Sequence, residues 1–175
     1  MKKCYHGTDL RSAKKIFKSQ NIDVTRGSKS VDFGQGFYVT DDYERAVKWA
    51  KRKAVLRNGA PAIVTIIFDE EAAQPYIKHF DDDLQWGRFV INNRNGYEYI
   101  NEIEFKDNNL DSRYHITCGR IADIDTIGIS KELKKSKKML MSIEKLLNTD
   151  YPLQYAFHTD FAVSFIKKIT YKSLK

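Results

Sequence analysis

Cysteine is scarce: Cys4 and Cys118 are the only two in 175 residues. That excludes a disulfide scaffold, and without a C-x-x-C pair it excludes a cysteine-rich zinc site. Both read as small buried residues in a reducing cytoplasm. Three prolines and nine glycines leave no material for a collagen-like repeat or a long linker. The longest apolar stretch, Ala62 to Phe68, is far short of the ~20 residues a membrane span needs. The opening Met1-Lys2-Lys3-Cys4-Tyr5-His6-Gly7 reaches polar residues before any apolar run forms, which predicts no secretory leader and no membrane partner. Neither G-x-G-x-x-G nor G-x-x-x-x-G-K-[ST] occurs, so neither a Rossmann nor a P-loop site is written here.

What is present is globular material. Hydrophobic residues make up 42% of the chain, with 10 Tyr and 10 Phe, whereas disordered chains are poor in aromatics. A chain of this length fits one domain, residues 1–175, and can bury about 70% of its unfolded surface. Charge is unevenly spread. Residues 1–60 hold 14 Lys and Arg against 6 Asp and Glu, whereas residues 61–130 hold 6 against 13. A basic first third favours an anionic ligand such as a dinucleotide or nucleic acid, or an acidic protein.

Periodicity gives the elements. Lys2–His6 reads as a strand, Ser12–Ser19 as a helix capped by Asp9 or Ser12, and Gly36–Thr40 as a strand. Asp41–Arg57 is a helix with Tyr43, Ala46, Val47, Ala50 and Ala54 inward. Thr40 or Asp41 caps it and Asn58-Gly59 ends it. Ala62–Phe68, short and β-branched, reads as a central strand. Leu84–Ile91 reads as a short helix, Tyr97–Phe105 and Tyr114–Cys118 as strands, and Ser130–Leu147 as a Lys-rich amphipathic helix. Gln154–His158 is a strand, Asp160–Ile166 a helix and Ile169–Tyr171 a last strand. The mixture lacks regular βαβ alternation, so the class is α+β.

Three segments carry the chemistry. Tyr5-His6-Gly7-Thr8 ends a strand on a His followed by a Gly whose backbone can approach a flat ligand closely. Asp32-Phe33-Gly34-Gln35-Gly36-Phe37-Tyr38 is a glycine-rich turn into a strand that feeds the helix bearing Trp49. Gln154-Tyr155-Ala156-Phe157-His158-Thr159 is a strand that starts on a polar residue. Together these segments, with an aromatic 11 residues after Tyr38, resemble the NAD site of the ADP-ribosyltransferase superfamily, of the diphtheria-toxin and poly(ADP-ribose) polymerase type with its His–Tyr–Glu triad. The closest resemblance is to small bacterial members encoded as toxins beside an antitoxin. Tyr114-His115-Ile116-Thr117-Cys118-Gly119-Arg120 extends it along the chain.

The resemblance implies a fold of two small, mostly antiparallel sheets packed face to face, with helices outside and NAD in the cleft. It implies that His6, Tyr38 and Gln154 form the catalytic set, and that His6, Gly7, Thr8, Gly36, Tyr38 and Trp49 bind NAD. His6 would bond the nicotinamide-side ribose or the adenosine end of NAD, Gly7 the carboxamide, and Tyr38 and Trp49 would sandwich the nicotinamide ring. A pyridinium between electron-rich rings gains about 0.5–2 kcal/mol per cation–π contact. Family members carry Glu where this chain has Gln154; an amide can hold a hydroxyl but cannot act as a base. Transfer of a single ADP-ribose unit to a nucleic acid or protein is therefore expected, without a metal. Glu102, Glu104, Asp160 or the acceptor itself would supply activation. The alternatives are hydrolysis of NAD, a non-catalytic NAD or ADP-ribose reader, and an RNA-binding or RNA-cleaving toxin. His158 and Thr159 read as caps of the following helix, and His79 and His115 as surface or satisfied polar residues.

Overall fold

The computed structural model describes residues 1–99, 108–122 and 152–175. Its strands are β1 (Lys2–Asp9), β2 (Phe37–Thr40), β3 (Pro61–Phe68), β4 (Ile77–His79), β5 (Ile116–Arg120), β6 (Leu153–Phe157) and β7 (Ile166–Ser173). Its helices are α1 (Leu10–Ser19), α2 (Tyr43–Leu56), α3 (Glu70–Ala73), α4 (Asp83–Tyr99) and α5 (Asp160–Val163). The expected Ser130–Leu147 helix, Glu102, Glu104 and most of the Tyr97–Phe105 segment lie outside the described residues.

All seven strands join one sheet in the order β4-β5-β6-β2-β1-β3-β7. Only β4 and β5 run parallel. The expectation of two small sheets packed face to face is therefore corrected. Strand β2 takes β6 on one edge and β1 on the other, so the two halves are bonded edge to edge rather than stacked. The seam between them is thin. β1 and β2 register only at Tyr5↔Thr40, whereas β1 and β3 register continuously from Lys2↔Phe68 to Asp9↔Pro61.

Side-chain alternation along the strands sets the layers. On β3, Ala62, Val64, Ile66 and Phe68 join the larger core with Ala13 of α1, while Ile63 meets Ala46 and Ala50 of α2 on the opposite face. On β6, Tyr155 and Phe157 join the larger core, and Ala156 packs with Phe33, Trp86 and Phe89 under α4. Helices α2 and α4 thus cover the second face over different halves of the sheet. The seam runs between them.

Several boundaries differ from expectation for local reasons. Asp42, not Thr40 or Asp41, caps α2, accepting from Arg45 N at 3.0 Å. Asn58 (φ 47°) is the left-handed residue after α2, and Gly59 N–H reaches back to Ala54 O at 2.9 Å. Strand β3 is internal but second from an edge. Helix α4 runs on to Tyr99, past the expected end at Ile91. Residues Tyr97–Tyr99, expected to open a strand, are helical. Asn93 donates to Phe89 O one turn back in the same helix and accepts from Asn109 N, and this tertiary bond holds a polar stretch in the helix. Among the described residues no helix is long and apolar enough to cross a membrane.

Candidate functional site

The site is assembled around a close contact. A Cβ on Gly7 would lie 2.0 Å from Ala46 O and 2.6 Å from Ala50 N, so α2 rests directly on the backbone of β1. Glycine and two alanines make that approach possible, and it carries Trp49, Arg52 and Lys53 of α2 to the seam. A cavity of about 560 Å³ opens there, within the range of about 300–1,000 Å³ usual for small-molecule sites. His6, Gly7, Gly36, Tyr38, Trp49 and Gln154 all line it. Thr8 does not: it is buried opposite Ala62 of β3.

His6 spans the thin seam. Its Nδ1 lies 2.7 Å from Tyr38 O, and a carbonyl can only accept, so Nδ1 carries the proton. The imidazole stacks on Phe37 with centroids 4.5 Å apart. Burial pushes its pKa down to about 4, with Lys53 and Arg57 adding to the effect, so the ring is neutral at pH 7. Its other nitrogen, Nε2, is then a bare acceptor. It has no protein partner among the described residues and is not sealed from solvent.

Tyr38 is held by its hydroxyl, which donates to Gly34 O at 2.6 Å and accepts from Phe33 N at 2.9 Å. Burial and the nearby Asp32 carboxylate keep that hydroxyl protonated, raising its pKa well above the ordinary tyrosine value. The turn it clamps has Gly34 at φ 83°, a conformation that favours glycine. The Tyr38 ring lies nearly parallel to Phe33, centroids 6.3 Å apart. Among the described residues no ring contact links Tyr38 to Trp49. Instead the Arg52 guanidinium sits 5.3 Å over the Trp49 ring, which shows that this indole face accepts a cation.

Gln154 lies at the start of β6 with its amide committed. Nε2 donates to Asp32 Oδ2 at 2.7 Å and to Arg120 O at 3.3 Å, leaving Oε1 as the free end. Asp32, buried at 6% exposure, is a saturated carboxylate. It accepts from Arg94 Nε at 2.8 Å, from the Arg94 Nη2 group, from Ala122 N at 3.0 Å and from Gln154. A Glu at position 154 would set a second carboxylate against Asp32. The glutamine is thus the partner that lets a buried aspartate sit at the cavity floor.

The chain matches, over residues 3–168, the model of a family described as protein of unknown function (DUF3990). It belongs to that family. Neither the curated proteins nor the solved structures contain a match to it.

Family membership leaves the chemistry to the geometry. Sequence reasoning missed Asp32, Arg94, Arg52 and Lys53 as cavity residues. Asp32 stood inside the glycine-rich segment, and the basic first third held a signal for Arg52 and Lys53. Nothing local links Asp32 to Arg94 and Gln154, which are distant in the chain. Asp160 opens α5, exposed, and is not among the cavity residues. Thr159 caps α5, accepting from Ala162 N, while His158 bonds Gln35 O and Thr117 instead of capping. His115 meets Thr159 and His79 meets Gln74. Cys4 and Cys118 are buried thiols pushed up by desolvation to about 12 and about 11, and so are chemically quiet. Among the described residues no group of three or more His, Cys, Asp or Glu is arranged to hold a metal ion.

Proposed function

We propose that the chain is an NAD-dependent mono-ADP-ribosyltransferase, a bacterial toxin that modifies a nucleic acid or a protein in the cytoplasm and is restrained by an antitoxin. The observation that carries this reading is the meeting of His6, Gly7, Gly36, Tyr38, Trp49 and Gln154 on one cavity, from segments far apart in the chain. A neutral His6 with Nδ1–H tied to Tyr38 O presents Nε2 to a ribose hydroxyl. Gln154 Oε1 offers a second acceptor, and the Trp49 face suits a pyridinium.

In the reaction the bond from ribose C1′ to the nicotinamide nitrogen breaks. Its electron pair leaves with nicotinamide, which becomes neutral, and the sugar passes through an oxocarbenium-like state. A nucleophilic oxygen or nitrogen of the acceptor then bonds to C1′ and gives up its proton. The chain's residues orient the ribose and hold the leaving ring; binding the cation-like sugar better than NAD itself is what lowers the barrier.

Hydrolysis of NAD is a second reading, and the saturated Asp32 favours it. With four donors on that carboxylate and an amide at position 154, no free carboxylate lines the cavity among the described residues to serve a macromolecular acceptor as base. Water then competes well. The same features support a non-catalytic reader of NAD or ADP-ribose. Incubating the protein with NAD labelled in the adenylate half, alone and with cell RNA or lysate, separates these readings. Label on a macromolecule supports transfer, free ADP-ribose supports hydrolysis, and intact but bound NAD supports the reader. Unbound, unchanged NAD contradicts all three. Co-purification with the product of the neighbouring gene tests the antitoxin.

A further inference from the structure

The second face of the cavity holds an unused charge. Lys53 lines the cavity and is half-buried, yet it makes no ion pair and no hydrogen bond among the described residues. Its neighbour along the helix, Arg57, is neutralised by Asp9 at 2.7 Å. Arg52 also lines the cavity, and its guanidinium leans on Trp49 rather than on a carboxylate. Asp32, the one carboxylate that lines the cavity among the described residues, is engaged by Arg94 and Gln154. An ammonium held part-way out of water, offset only by the field of Asp9, which is itself bonded to Arg57, is a costly arrangement. Burial, then the Arg57 charge, lower the Lys53 pKa, and the opposing field of Asp9 does not cancel them.

We propose that Lys53 and Arg52 form a phosphate subsite that receives the pyrophosphate of the dinucleotide. This rests on the reading of the cavity as an NAD site and adds an orientation to it: the phosphates lie along α2, and the sugar on the nicotinamide side lies toward His6 and Gln154. Arg52 then exchanges its contact with Trp49 for one with phosphate, which frees the indole face for the pyridinium. Two cations on adjacent positions of one helix can each take a phosphate oxygen, and such charge-assisted bonds are the strong ones.

The test is calorimetric titration of the full chain with five probes: NAD, ADP-ribose, inorganic pyrophosphate, a short oligoribonucleotide, and nicotinamide riboside, which lacks the pyrophosphate. Lys53→Gln is expected to weaken NAD, ADP-ribose and pyrophosphate by about tenfold or more and to leave nicotinamide riboside unchanged. Lys53→Arg is expected to restore most of the affinity, because it restores the charge. Equal losses for nicotinamide riboside and NAD would make Lys53 a structural residue and overturn the proposal. So would full affinity for the phosphate-bearing probes in both Lys53→Gln and Arg52→Gln. If a short oligoribonucleotide alone loses affinity in Lys53→Gln, the cation serves an acceptor strand and the proposal again fails. If pyrophosphate and ADP-ribose bind through Lys53 but nicotinamide adds nothing to NAD affinity, the subsite stands and the NAD reading is what fails.

Discussion

His6 and His158 are nearly the same group in two settings. Each donates through Nδ1 to a backbone carbonyl at 2.7 Å, His6 to Tyr38 O and His158 to Gln35 O. Burial pushes each imidazole down to about 4. They differ at Nε2. In His158 it accepts from the Thr117 hydroxyl at 2.9 Å, which completes the ring's hydrogen bonding inside the protein. In His6 it has no partner among the described residues, and the residue lines the cavity. A buried polar group with every bond made holds the fold; one left open beside a cavity waits for a ligand. The same division separates Asp32, which has four donors, from Lys53, which makes no ion pair or hydrogen bond among the described residues.

The largest expected effect separates the two histidines. His6→Ala should cut turnover or NAD affinity by about 100-fold, the scale of a lost positioning contact, with a modest loss of melting temperature. His158→Ala should do the reverse: stability falls by about 2–4 kcal/mol, because a core ring is removed and Thr117 and Gln35 lose their partner. Turnover per folded molecule should stay within a few-fold. Melting curves and labelled-NAD assays on both variants read this directly. A His158→Ala protein that is folded but as inactive as His6→Ala would erase the distinction.

Acid is expected to act next. Both histidines have folded pKa values below the ordinary 6.5, so the unfolded chain binds more protons between pH 6.5 and 4. Their contribution is complete above pH 6.5 and is lost as pH falls through that window. The loss is roughly 3 kcal/mol for His158 and less for His6, whose ring borders the cavity. Denaturant midpoints at pH 7 and pH 4.5 check the sign. Ligand affinity that depends on a neutral His6 should hold steady down to about pH 5, where an ordinary histidine would already be charged.

A smaller effect probes the packing under His158. A Cβ at Gly36 would meet Phe157 O at 2.7 Å and His158 Nδ1 at 2.8 Å. Gly36→Ala should therefore cost about 1–3 kcal/mol, as overpacking does, and weaken the bond from His158 to Gln35 O. Smallest is Gln154→Glu, which puts two carboxyls side by side. Loss of the amide donor and repulsion between the two carboxylates should make the variant less stable than the parent at pH 8, by about 1 kcal/mol, as denaturant midpoints would show.

Much of the fold was legible because it is local. The stripe of Ala46, Ala50 and Ala54 marked α2, and the β-branched run marked β3. The way the strands meet was not legible. Joining β2 to both β6 and β1 makes one sheet, and that pairing depends on contacts across the whole chain. The candidate site divides likewise. His6, Tyr38 and Trp49 belong to motifs with recognisable spacing. Asp32, Arg94 and Gln154 form one network only after folding, and Lys53 reads along the helix as an ordinary solvated charge. Helix α4 outran its pattern because Asn93 and Arg94 are held by tertiary bonds that no periodicity encodes.

The most direct measurement follows the imidazole nitrogens of His6 and His158 by nitrogen-15 NMR during a titration with NAD. The bare Nε2 of His6 is expected to take up a hydrogen bond and its resonance to move, while both nitrogens of His158 stay where they are. If NAD saturates the protein and His6 Nε2 does not respond, or if His158 responds in its place, the cavity at the seam is not where the sugar is held.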